Sequence, residues 1–318
     1  MTNTPSKSKK SRVFLTRTDR ITRNILLGFG IISSSFIFII AFFITLEGII
    51  PFVTDNDGLG TVNLWRFLTG GIWLNGRTFV STAYGAGYLI IQTLYLAFLS
   101  LLLSFPIGVM AALFIAEIAP KRIANFMRSV VELMASIPSI VYGLVGAGFF
   151  LPIIYDFGQL FGISSAAGAG TLGVVLVLGL MSLPTIIAIS EVSIRSVDPS
   201  LKQASLALGA TPTQTRFKII LLAAKNGIFS SAILAIGRSL GEATAVALVA
   251  GNARSGPNFG LFDITSTMTS MMLSGLKETT GIDFNIRFSV GLLLMAVILI
   301  TNFILNYIKR RIGNLDEV

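Results

Sequence analysis

Long runs without charge constrain this chain more than any other feature. Asn24–Leu46 passes 23 residues without a charged side chain. That is about 35 Å of helix at ~1.5 Å per residue, enough to cross a hydrocarbon core of ~30 Å. Five further stretches have the same character. Tyr88–Ala116, Thr171–Ser190 and Phe288–Ile308 carry no charge, Ser129–Ile154 carries only Glu132, and Asn226–Ala250 carries only Arg238 and Glu242. Charged residues make up only 12% of the chain, about half the share of an average soluble domain. Such a chain cannot cover a water-facing surface. The pattern predicts an all-α polytopic membrane protein with six transmembrane helices and both termini on one side.

Absences narrow the chemistry. With no Cys and no His, disulfides, thiol chemistry, the usual zinc and haem ligands and a His-based triad are all excluded. No G-x-x-x-x-G-K-[ST] loop occurs, so any ATP must be bound by another chain. Gly168-Ala-Gly-Thr-Leu-Gly173 matches a dinucleotide fingerprint, but it opens an apolar run where a strand should precede it, and reads as a flexible start to a helix. Asp55-Asn-Asp-Gly58 resembles a calcium loop, yet Arg66 stands where the twelfth-position Glu is required, so it reads as a turn.

Charge placement sets the topology. Eighteen of the 24 Lys and Arg fall on the N-terminal side: the tail, the 121–128 turn, the 191–225 loop and Lys309–Arg311. Five fall on the opposite side and Arg238 lies within a span. By the positive-inside rule both termini are cytoplasmic. The tail 1–23 alone supplies seven basic residues and one acidic, six of the nine surplus positive charges, so most of the net charge is a topology signal. The first apolar run exceeds the ~7–15 residues of a signal-peptide core, and no A-x-A-like site precedes Glu47. It reads as an uncleaved anchor. The expected order is a cytoplasmic basic tail 1–23, an anchor helix 24–50, an outer loop 51–86 with Trp65 and Trp73 at the interface, a five-helix core 87–308, and a cytoplasmic tail 309–318.

Residues Glu191–Lys225 are long for a simple connection. Asp198-Pro199 reads as an N-cap with Pro at the first helical position, Leu201, Ala204 and Leu208 recur at helical spacing, and Gly209 supplies a stop. Thr211-Pro212 repeats the start signal ahead of Phe217, Ile220 and Leu221. Two short helices joined by a Gly turn would present a mixed apolar and basic surface, suited to docking a cytoplasmic partner.

Inside the fifth span Arg238 and Glu242 stand four apart, which places them on one helical face. An Arg there costs roughly 2.5–3.5 kcal/mol to insert and should face protein or water. Gly237 and Gly241 form a G-x-x-x-G face beside them. The pair reads either as a buried ion pair that fixes packing or as an anion contact at Arg238 with Glu242 orienting or gating it. A guanidinium fork suits a tetrahedral oxyanion. Glu132 is expected beside Arg128 as an i,i+4 pair, or else at the inner mouth of a path. Pro106, Pro138 and Pro184 fall within spans, and Ser136–Tyr142 is expected to break its helix, with Ser139 a candidate polar contact.

Gln203-Ala204-Ser205, Gly209 four residues on, and Ile219-x-Leu221 resemble the E-A-A loop of ABC importer permeases, with Gln203 for Glu, Ser205 for the second Ala and Leu222 for the usual Pro. Thr93-Leu-Tyr-Leu-Ala97 with Phe105-Pro-Ile-Gly108 resembles the helix that opens that permease core. Ser136-Ile-Pro-Ser-Ile-Val-Tyr-Gly-Leu144 and Arg238-Ser-Leu-Gly-Glu-Ala-Thr-Ala-Val246 resemble phosphate-specific permeases, of the PstC type rather than the PstA type. The resemblance covers roughly residues 20–312. It implies a type I ABC importer permease core and a path for inorganic phosphate contacted by Arg238 and Glu242. It also implies coupling to a separate ATP-binding subunit dimer, which holds ATP and Mg, through Gln203, Ala204, Ser205, Gly209, Ile219 and Leu221. A PstA-type second permease and an extracytoplasmic phosphate-binding protein would complete the assembly, in a bacterial or archaeal plasma membrane. No catalysis, metal or cofactor is expected of this chain. Alternatives from the residues alone are another oxyanion such as sulfate or molybdate, a self-contained anion carrier or channel, and a signalling protein.

Overall fold

A computed structural model describes residues 17–55, 60–74, 84–163 and 165–313. The first sixteen residues of the basic tail, most of the Asp55–Gly58 turn, Arg77 and the last five residues lie outside the described residues.

The chain divides at Leu46/Glu47 into two units. Helix α1 (Arg17–Val53) supplies the described part of the first. From Asn24 to Leu46 it carries no charge and is apolar on every side, Phe29, Ile31, Phe38 and Phe42 included, as expected of a helix solvated by lipid.

The described residues of the second unit form helices joined by loops, with only isolated β-bridges between loop residues. Helix α2 (Leu64–Thr69) is capped by Asn63, and α3 (Gly87–Leu113) ends in a π-helical turn, Phe114–Ile118. Helix α4 (Lys121–Ser136) precedes α5 (Ser139–Val145), which passes through a π-turn into α6 (Leu151–Leu160). Helix α7 (Thr171–Arg195) leads to α8 (Pro199–Ala207); α9 (Pro212–Gln214) continues by a π-turn into α10 (Leu221–Ala223). Then come α11 (Lys225–Gly241), α12 (Thr244–Val249), α13 (Met268–Leu273) and α14 (Ile282–Gly313).

Helix α3 runs through three apolar clusters, placing Leu89 in the first, Leu96 in the second and Leu113 in the third. It packs on α7 where side chains are small: a Cβ on Gly108 would lie 2.6 Å from Ile186 Cγ2. Serines join α7 to α11, Ser182 to Ser239 at 3.3 Å and Ser190 to Ser231 at 3.1 Å. Without a hydrophobic drive between helices in lipid, close backbones and hydroxyl bonds of this kind carry association.

Among the described residues five helices are long and apolar enough to cross a membrane, and a bent pair, Pro212–Ala223 with Lys225–Gly241 at 65°, brings the number to six. Two expected spans need correction. The third runs Ser139–Leu160 rather than Ser129–Ile154. Pro138 offers no N–H and holds Ile137 extended at ψ 126°, so α4 is a separate helix. It packs Ala124, Met127 and Val131 inward and leaves Ile123, Phe126 and Leu133 exposed. The expected helix break in Ser136–Tyr142 is there. The fifth span is also broken, between α11 and α12. Trp65 is exposed, but Trp73 is 1% exposed in the first cluster, edge-on to Tyr84 at 5.3 Å. Its indole is core, not interface.

Candidate functional site

The two breaks meet. Pro138 has no N–H for the Met134 carbonyl, which accepts instead from Ile137 N–H at 3.4 Å and from Tyr142 Oη at 2.7 Å. A Cβ on Gly143 would sit 2.8 Å from Ala245 Cα, so glycine lets α5 cross α12 at backbone contact. Four letters of the Ser136–Leu144 motif thus have separate jobs: Pro138 breaks the helix, Ser139 starts the next one, Tyr142 closes the gap and Gly143 admits the crossing.

At the second break α11 ends at Gly241, and Glu242 takes an extended backbone at φ −75°, ψ 120°. Its side chain turns forward. Glu242 Oε1 accepts from Thr244 Oγ1 at 3.0 Å and from Ala245 N–H at 3.1 Å, satisfying an orphan donor in the first turn of α12. Its carbonyl accepts from Thr269 Oγ1 at 2.6 Å, and Thr269 meets Thr267 Oγ1 at 2.9 Å. Ser139 Oγ lies 3.0 Å from Thr244 Oγ1. Ser139 and Glu242, distant in sequence, are joined through Thr244.

Arg238 stands differently. It is exposed on α11, three residues before that helix ends. No ion pair joins it to Glu242 among the described residues; those found are Arg128–Glu191, Arg195–Glu191 and Lys202–Glu117. The expectation that Arg238 and Glu242 share one helical face fails because the helix ends between them. Gly237 and Gly241 are open, with nothing within 4 Å of an added Cβ. The Arg128–Glu132 pairing fails too: Glu132 is exposed and Arg128 Nε donates to Glu191 at 2.6 Å. Arg128, Arg195, Glu132 and Glu191 line a cavity of about 400 Å³.

The 191–225 segment follows its capping signals, though α7 takes its first five residues. Asp198 accepts from Ser200 N–H at 2.8 Å, and that bond holds its carboxyl below the usual range. Gly209 turns at φ +85°, and Thr211 forms a capping box with Gln214. Gln203, Ala204 and Gly209 are exposed, Ile219 and Leu221 half-buried, and Ser205 Oγ lies 2.9 Å from Thr215 Oγ1, tying α8 to the second helix. Leu208 is 89% exposed and Leu201, Phe217 and Leu222 are exposed beside it, the mixed apolar surface expected.

Sequence reasoning missed Thr244, Thr267, Thr269 and Tyr142. Thr244 and Tyr142 lie within quoted motifs. Thr267 caps α13 and Thr269 lies in its first turn, and no sequence signal pointed from either to Glu242. It also missed the 250–267 segment, which α3 holds through Gln92: Nε2 donates to Asn258 O at 2.8 Å and Oε1 accepts from Asn258 N–H at 3.0 Å.

Known proteins match this chain over most of its length. Residues 104–314 match the family described as "Binding-protein-dependent transport system inner membrane component". The "Probable ABC transporter permease protein YqgH" of Bacillus subtilis is 32% identical over 86% of this chain and 84% of that protein. The "Phosphate transport system permease protein PstC" of Pasteurella multocida is 31% identical over 77% and 80%. Among solved structures, a bacterial alginate ABC transporter covers 93% of this chain and 98% of its own at a TM-score of 0.61 and 18% identity. The MetNI methionine ABC transporter covers 70% and 94% at 0.54 and 19%, and both likenesses show the fold of a type I importer permease. On these matches the chain belongs to the binding-protein-dependent inner-membrane permeases of ABC transporters, a multi-pass transport subunit and not itself an enzyme.

Proposed function

We propose that this permease forms half of the membrane path of an ATP-driven inorganic phosphate importer. The observation that carries the reading is Arg238: an exposed guanidinium with no ion-pair partner among the described residues, within one turn of a helix break. A cation left uncompensated among spanning helices is costly, and a passing oxyanion would relieve that cost for as long as it stays. One guanidinium binds weakly, as a conduit requires. Ser139 and Thr244, which meet at 3.0 Å, would offer hydroxyls to the same path, with Glu242 holding the break in shape. Relatives named as phosphate transport permeases across several bacteria and an archaeon support phosphate over other oxyanions.

In this reading both termini and the 191–225 loop face the cytoplasm. The exposed turn around Leu208 and Gly209 enters an ATP-binding subunit, of which the complex holds two. A second permease of similar fold, PstA-type, supplies the other half of the path, and an external phosphate-binding protein delivers cargo. Closure of the nucleotide-binding dimer would rock the permeases and open the path outward; hydrolysis would reset it. Purification of the tagged chain from its own membranes tests the assembly. Recovery with an ATP-binding subunit and a second permease is expected, and recovery alone would contradict it.

A further inference from the structure

Glu191 is the only buried carboxylate among the described residues, 8% exposed. One oxygen, Oε1, takes both Arg128 Nε at 2.6 Å and Arg195 Nε at 2.8 Å. Arg128 belongs to α4, and Arg195 ends α7 at the point where the docking loop begins. Arg195 Nη2 donates onward to Ile115 O at 3.3 Å, in the π-turn that closes α3. Two residues further along that turn, Glu117 Oε2 holds Lys202 Nζ of α8 at 2.5 Å. The docking helix, the ends of α3 and α7, and α4 are therefore tied into one charged network.

Helix α4 gives that network a reach. Arg128 sits near its middle, and its far end is the Pro138 break, where Ser139 meets Thr244, which in turn bonds Glu242. The continuous path runs from the docking loop through Arg195, Glu191 and Arg128, along a rigid helix, to the junction of the two broken spans. Chains of packed helices and ion pairs with discrete arrangements are what carries coupling between distant sites. The link between α4 and α7 depends on that single carboxylate: without it two like charges, Arg128 and Arg195, are left facing each other.

We propose that Glu191 and Arg128 are positioning residues for energy coupling, transmitting displacement of the docking loop to the Ser139–Thr244–Glu242 junction through α4. This rests on the importer reading above. Each acts by holding α4 to α7.

The test is the ratio of phosphate accumulated to ATP hydrolysed by the whole complex in proteoliposomes, with E191Q, R128Q and R128K compared with wild type. E191Q and R128Q are expected to assemble with the ATP-binding subunit and hydrolyse ATP while the ratio falls about tenfold. R128K, which keeps the cation, is expected to stay within about twofold of wild type. A role in folding alone would lower assembly and leave the ratio of the surviving complexes unchanged. If E191Q fails to assemble, R128Q decides, since its side chain is 33% exposed and its loss is the milder change. A wild-type ratio in assembled R128Q overturns the proposal. Wild-type complexes that accumulate no phosphate with ATP overturn the cargo reading instead, so the two failures are distinct.

Discussion

Glu191 and Arg238 each place a charge among the helices of this permease, and the fold treats them in opposite ways. Glu191 is buried and shared by two arginines from α4 and α7. Arg238 is exposed, four residues from a carboxylate that ignores it. The contrast lies in what the neighbouring backbone needs. At Glu242 the helix has just ended, and the Ala245 N–H and Thr244 hydroxyl in the first turn of α12 claim the carboxylate. At Glu191 the helix is continuous, its carbonyls and amides are satisfied, and the carboxylate is free to bond cations. Backbone demand, more than sequence spacing, decided which charges paired.

Substitutions that separate function from stability break this comparison most sharply. Arg238→Ala should reduce uptake in vesicles at least about a hundredfold while assembly and thermal unfolding stay at wild-type values, because no ion pair is lost. A lowered unfolding midpoint in that variant would show that Arg238 is a packing residue after all. Next in size is Gly209→Val. Nothing lies within 4 Å of an added Cβ, so the strain is purely that of φ +85°, about 1–2 kcal/mol for a residue with a side chain. Cargo-stimulated ATP hydrolysis should fall about tenfold, and hydrolysis that stays fully coupled would remove the loop from the docking role.

Gly143→Leu forces α5 from α12, since the Cβ meets backbone at 2.8 Å. Overpacking of this kind costs about 1–3 kcal/mol and should lower the unfolding midpoint of the detergent-purified chain. An unchanged midpoint would place the crossing elsewhere. The smallest effect concerns Asp198. Its pKa is depressed by the Ser200 N–H, so the cap is intact above the ordinary Asp value of ~3.9 and is lost only as pH falls through the lowered one. Amide exchange at Ser200 should stay slow from neutral pH down to about 4; early loss of protection would contradict the cap.

Local signals were legible and distant ones were not. The capped helices of 199–223 follow from Asp198-Pro199, Gly209 and Thr211-Pro212, whose bonds reach no further than three residues. The spans follow from uncharged length. The third span was misplaced because α4 is apolar on two of its three faces, one turned to the core and one uncovered, which reads as a crossing until Pro138 is given its full effect. The ion pairs were illegible for a different reason: Arg128 finds Glu191 63 residues away and Lys202 finds Glu117 85 away, while the near partner Glu132 was the obvious reading. At the candidate site the motifs named Ser139, Glu242 and Arg238, yet nothing in spacing could show that Glu242 caps the next helix, because the break after Gly241 has no Pro to announce it. Trp73 was misread because interfacial tryptophan is common, and its cover, Tyr84, is part of a segment folded back on the core.

Phosphate accumulation tests the central claim most directly. Proteoliposomes holding the purified complex, with ATP supplied to the ATP-binding subunits and loaded phosphate-binding protein on the opposite face, should concentrate labelled phosphate against its gradient and leave sulfate outside. Phosphate that fails to accumulate, or accumulation that needs no ATP, would contradict the account.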